Sequence, residues 1–121
     1  MRIEEVLTQV DELKPNQYDD TIKIDWLNKL DKQIYNQVIK THEDNRLEGF
    51  NGYSLNDMSQ ELIAEDAYAG FYVDYIFSMI DYNNQEYDKY ANSSAMFESK
   101  FADYVRYYNR EHKPLTKNYK M

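Results

Sequence analysis

The chain has 121 residues, with 22 acidic side chains against 14 basic, a formal charge of -8 and no cysteine. That length fits one domain, and 42% apolar composition with 16% aromatic residues is enough to bury one compact core. Disulfides, thiolate zinc sites and a cysteine nucleophile are excluded, and nothing in the residue usage points to an oxidising compartment. No window approaches the ~18 consecutive apolar residues needed to span a bilayer, and Glu4 and Glu5 stand where a signal peptide would need positive charge. The expectation is a soluble, unexported chain. Gly49, Gly52 and Gly70 are too few and too scattered for a phosphate-cradling loop or a dinucleotide fingerprint.

Ile3, Val6, Leu7, Val10 and Leu13 recur on one face of a helix, which Pro15 stops. Asp19 and Asp20 offer N-cap oxygens for a second helix over 20–41, with a stripe of Ile24, Leu27, Leu30, Ile34 and Val38 widened by Trp26 and Tyr35. Between His42 and Ser59 the periodicity fails and turn formers take over, leaving Phe50, Tyr53, Leu55 and Met58 as the only anchors of a long connection. From Glu65 to Asn83 the pattern is apolar nearly all round, with only Asp74, Ser78 and Asp81 clearly polar. Tyr87, Tyr90, Ser94, Phe97, Phe101, Tyr104 and Tyr108 then recur at steps of three and four, a heptad seam. Pro114 ends the helical potential.

These patterns predict an all-α fold: a four-helix, bundle-like domain over 1–114, with a long C-terminal antiparallel helical hairpin, a long central loop and a short tail at 115–121. Trp26, Leu27, Leu30, Ile34, Ile76, Met79, Ile80, Phe97 and Phe101 are expected at its centre. Any strand should be short and lie within 60–66. The all-round apolar third helix offers more surface than one core of this size needs, which favours self-association.

Charge is unevenly placed. Residues 1–41 carry 8 acidic and 6 basic groups, residues 42–88 carry 11 and 1, and residues 89–121 carry 3 and 7. An acidic middle and a basic end either attract between copies, head to tail, or are simply solvated faces. His42 beside Glu43 and Asp44 reads as a solvated helix end, because a metal site needs ligands the local spacing does not supply. His112 after Glu111 reads as a cap on the helix dipole. Asp74 and Asp81 are seven residues apart on one helix face, but among so many carboxylates the pair does not single out acid-base chemistry. No catalytic residue, metal site or cofactor is expected, and the chain reads as no enzyme. The basic patch of Arg106, Arg110, Lys113, Lys117 and Lys120 suits protein acid better than sequence-specific nucleic acid, given the net charge.

Four stretches carry a resemblance: Ile3-Glu4-Glu5-Val6 through Val10-Asp11-Glu12-Leu13-Lys14-Pro15-Asn16; Trp26-Leu27 with Asp31 and Ile34-Tyr35; Met79-Ile80-Asp81-Tyr82-Asn83 into Glu86-Tyr87-Asp88-Lys89-Tyr90; and Phe97 to Tyr107-Tyr108-Asn109-Arg110. In them the chain resembles small phage and prophage head-to-tail connector (adaptor) proteins of Firmicutes viruses. The resemblance implies a structural subunit of the virion neck, made in the host cytoplasm. Such a subunit assembles in the virion as a homo-oligomeric ring under the portal protein and meets the next neck or tail protein, with no membrane and no turnover. A monomer in solution until the portal is offered is compatible with that role. A channel wall rich in carboxylate repels the phosphate backbone of passing DNA. On that basis Glu43, Asp44, Glu48, Asp57, Glu61 and Glu65 are the candidates for the channel or an adjacent ring. Arg106, Arg110, Lys113, Lys117 and Lys120 are the candidates for partner contact. The alternative is an acidic phage protein that mimics DNA and inhibits a host nucleic-acid-binding protein, motivated by the acidic middle segment.

Overall fold

The first apolar stripe becomes α1 (Ile3–Leu13), in which Ile3, Val6, Leu7 and Val10 are buried while Leu13 is 69% exposed, so the stripe ends one turn early. The structure is a computed structural model, and it describes residues 1–42 and 49–115. At the start of α1 the Glu5 carboxylate reaches back to accept the Arg2 backbone N–H at 2.7 Å. Asp19 caps α2 (Asp20–Ile34) by accepting the Ile22 N–H at 3.1 Å. The predicted helix to Thr41 continues, but as a wider π-helical turn over Tyr35–Ile39, closed by the Lys40 N–H donating to the Tyr35 carbonyl at 2.9 Å. The extra residue brings both Val38 and Ile39 into the core. The Thr41 hydroxyl then lies against the Gln37 and Val38 carbonyls at 3.2 and 2.9 Å and ends the element.

Among the described residues no strand forms within 60–66, where the sequence places any strand, and a single bridge there pairs Arg2 with Glu61. The cause is local. Leu62, Ile63 and Ala64 are all buried, without the alternation of a sheet surface, and the Ile63 and Ala64 N–H groups donate to side chains, Asp31 at 3.1 Å and the Tyr72 hydroxyl at 3.0 Å.

Short 3-10 turns at Leu55–Asp57 and Asp66–Tyr68 precede α3 (Phe71–Asn83), which therefore starts later than the apolar pattern. After Asn84, Gln85 and Glu86 comes α4 (Tyr87–Glu111). The two helices run antiparallel: Phe71 at the start of α3 meets Phe101 and Tyr104 at 5.3 and 5.4 Å, and Tyr82 at its end meets Tyr87 and Tyr90 at 6.0 and 5.3 Å. Further ties order the other ends. Lys14 after α1 pairs with Asp81 at 2.7 Å, Gln17 and Tyr18 both donate to Asn84, and His42 after α2 reaches Asn109 at 2.8 Å. One end of the molecule thus gathers the end of α1, the start of α2 and the α3–α4 turn. The other gathers the start of α1, the end of α2, the start of α3 and the end of α4.

Among the described residues the fold is all-α, with four α-helices and no strand. α3 lies between α1, α2 and α4, which bury most of its apolar surface, while Tyr75, Phe77 and Met79 stay partly covered and Tyr82 is 53% exposed. Trp26, Leu27, Leu30, Ile34, Ile76 and Ile80 are buried as expected, whereas Met79, Phe97 and Phe101 are only partly covered. The longest helix, α4, rests mainly on α3, so its inward side chains stay at a rim except Tyr104 and Tyr108, which are fully buried.

Candidate functional site

A charged residue inside an apolar stripe must be satisfied, and Asp31, one turn from Leu27 on α2, is fully buried. Its Oδ2 accepts the Tyr53 hydroxyl at 2.5 Å and the Ile63 N–H at 3.1 Å, and its Oδ1 accepts the Tyr72 hydroxyl at 2.6 Å. One carboxylate therefore ties α2, the central connection and α3. Burial raises its pKa above the ordinary carboxylate value, and the three donors oppose that rise. Burial first, then the facing carboxylate charge, raises the Tyr53 and Tyr72 phenols, which remain donors. Beside this node Asn28 clamps the connection at two points, accepting the Tyr53 N–H at 2.5 Å and donating to its carbonyl at 3.0 Å. The approach needs Gly52, whose φ of 91° is left-handed and whose Cβ, if present, would stand 3.2 Å from Asn28 Oδ1.

The other buried charges are also ties. Lys23, 2% exposed, pairs with Asp11 at 2.6 Å; Asp74 pairs with Lys100 at 2.7 Å; Asp81 takes both Lys14 and the Ser93 hydroxyl, at 2.7 and 2.9 Å. The pair Asp74 and Asp81 is thus divided between two cations on different elements and does not converge on a cleft. His42 is not a solvated helix end. It is 5% exposed, with Nδ1 2.5 Å from the Val38 carbonyl and Nε2 2.8 Å from Asn109 Oδ1, and its ring lies edge-on to Tyr108. The backbone explains this, since His42 and Pro114 form a bridge and the Leu115 N–H donates to the Thr41 carbonyl at 2.9 Å, drawing the end of α2 under the end of α4. His112 is the C-cap residue of α4 and stacks on Tyr108 at 3.9 Å.

Of the acidic candidates, Asp57 and Glu61 line one groove of about 470 Å³ beside Gly52 and Tyr53. Asp57 caps its own turn, accepting the Ser54 N–H at 2.7 Å and hydroxyl at 3.1 Å. Glu61 accepts from the Met1 amine at 2.8 Å and keeps a side chain 64% exposed. Glu65 lies apart from them, partly buried, accepting the Tyr107 hydroxyl at 3.4 Å. Glu43, Asp44 and Glu48 lie outside the described residues. Of the basic candidates, Arg106 pairs with Asp103, while Arg110 and Lys113 stand exposed at the end of α4. Lys117 and Lys120 lie outside the described residues.

Part of the uneven charge of the sequence is taken up inside the fold. Asp74 and Asp81, counted in the acidic segment, are neutralised inside the fold, and the Asp66–Tyr68 turn lies against α4, Tyr68 stacking on Tyr107 at 4.3 Å. Sequence reasoning missed Asp31, Asn28 and buried His42 as organising residues. The signal for Asp31 was its place between Leu27, Leu30 and Ile34 on the stripe. Among the described residues no group of three or more His, Asp or Glu side chains could hold a metal ion, and no helix is long and apolar enough to cross a membrane. Comparison with family models, with characterised proteins and with solved structures finds no match to this chain.

Proposed function

We propose that this chain is a structural subunit of a phage neck, a head-to-tail connector that assembles as a ring under the portal and works by adhesion, without turnover. One observation carries the reading beyond the resemblance itself: three charged residues within the resembling stretches, Lys14, Asp31 and Asp81, serve as joints between separate elements. Lys14 and Asp81 bind each other, and Asp31 binds two tyrosines and a backbone N–H. Residues committed to internal ties set shape, and shape is what an assembly subunit supplies. In this reading Glu61, with its exposed carboxylate, stands toward the channel or the adjacent ring, and the exposed end of α4 with Arg110 and Lys113 meets a neighbouring protein. The alternative of a DNA mimic draws less support, because Asp74 and Asp81 are withdrawn from the surface and paired.

Mass spectrometry of purified phage particles tests the proposal. The chain should appear among the virion proteins in a fixed copy number relative to the portal. Absence from mature particles, or recovery as a discrete complex with a basic host protein, overturns it.

A further inference from the structure

Lys32, Lys40, Arg110 and Lys113 are the described basic side chains with no ion pair, and all but Lys32 gather at the end of the molecule where α2 and α4 finish. Lys40 lines an open groove of about 620 Å³ there, whose walls also include Gln37, Val105, Asn109 and Leu115. Arg110 follows Asn109 in the chain and Lys113 precedes Pro114, itself a wall residue, so two further cations adjoin the groove along the chain, with the exposed carboxylate of Glu111 between them, while the walls offer neutral amides and apolar carbon. Leu115 is 39% exposed there. The opposite end has the complementary make-up. Leu13, Tyr82 and Tyr87 are 69%, 53% and 58% exposed. They are held at that end by the Lys14–Asp81 pair and the Tyr82–Tyr87 ring contact, and Glu12, Asp20 and Asp88 beside them have no ion pair.

We infer that the α2–α4 groove receives the apolar, acid-rimmed tip of a second copy of this chain, giving a head-to-tail contact. The occupant follows from charge and shape together. A chain of net charge -8 repels itself at long range, so a contact between copies must bring unpaired cations against unpaired carboxylates over a short distance and add apolar burial. These two ends carry both. Such a contact uses different surfaces on the two partners and closes into a ring when the rotation per step divides a full turn. The inference deepens the connector reading by naming its subunit contact, and rests on that reading only for the closure of the ring.

Sedimentation equilibrium of the whole chain at 0.15 M salt tests it, since screening there leaves only charges within ~8 Å to act. Wild type should associate with rising concentration. Lys40→Glu with Lys113→Glu should weaken association at least tenfold, and Glu12→Lys with Asp88→Lys should do the same. An equimolar mixture of the two variants should regain it, because each acidic end then meets a basic one. Circular dichroism and urea midpoints equal to wild type establish that the variants fold. A wild-type monomer up to ~1 mM, the weak end of specific binding, or reversals without effect, overturns the contact. The same chain found in phage particles would leave the connector reading standing, so the two failures are separable.

Discussion

Asp31 concentrates the physics of this molecule in one side chain. Three donors converge on a fully buried carboxylate, so removing the acceptor strands two phenols and an amide. Asp31→Ala should therefore lower stability by about 3 to 5 kcal/mol in urea unfolding, the range for breaking a buried charged network. The raised pKa sets a sign for pH. The folded protein holds the Asp31 proton more tightly than the unfolded chain, whose carboxyl titrates near about 4, so the stabilising contribution is full below that value and is lost as pH rises through the folded-state pKa. The stability of wild type relative to Asp31→Asn should thus be most favourable below about pH 4 and decline as pH rises above it. A difference that grows with pH would contradict the assignment. At Gln85, φ is 59°, in the left-handed region where side chains with a Cβ are strained. Replacing it by Gly should raise stability by about 0.5 to 1 kcal/mol, read as a higher melting temperature.

At the scale of elements, α3 and α4 form an asymmetric pair. α3 has neighbours on three sides; α4 has essentially one. The same residue type therefore carries different weight on each. Phe71 on α3 is fully buried among Tyr72, Phe97, Phe101 and Tyr104, and Phe71→Ala should cost about 3 to 5 kcal/mol. Phe97 on α4 touches Phe71, Tyr75 and Phe101 but remains partly exposed. Its replacement by Ala should cost clearly less, about 2 kcal/mol, and equal losses at the two positions would show that α4 is covered on its outer side in solution. From Tyr90 to Tyr108 the heptad seam follows the covered face of α4, because a period of three and four needs only local backbone geometry, while Tyr87 at its start is 58% exposed. How deeply each position lies was not legible, since depth depends on how many other helices reach it.

For the whole molecule, net charge and charge placement part company. The sequence divides into acidic and basic blocks, yet the fold carries Asp74 and Asp81 into its interior and lays the Asp66–Tyr68 turn beside α4. Of the charges left unpaired at the surface, Lys40, Arg110 and Lys113 lie at one end and Glu12, Asp20 and Asp88 at the other, with Glu111 among the cations. In the connector reading, charge reversal at Lys113, Lys117 and Lys120 should impair assembly onto the portal, visible as tailless particles or unoccupied necks by electron microscopy. Normal necks with the triple variant would remove the basic end from the assembly surface.

By itself the sequence determined the helices and their inward faces: α1, α2 and α4 announce themselves through apolar recurrence, because a helix face is written within a few residues of chain. It also determined where the helical pattern breaks, at Pro15 and in the glycine- and asparagine-rich connection. The tertiary structure decided which polar residues matter. Asp31 meets Tyr53 and Tyr72, His42 meets Asn109 and Lys14 meets Asp81 only after segments far apart in sequence are brought to hydrogen-bond distance. No local rule encodes such a meeting, because its energy depends on burial and on the partner's position, and both exist only once the chain has folded.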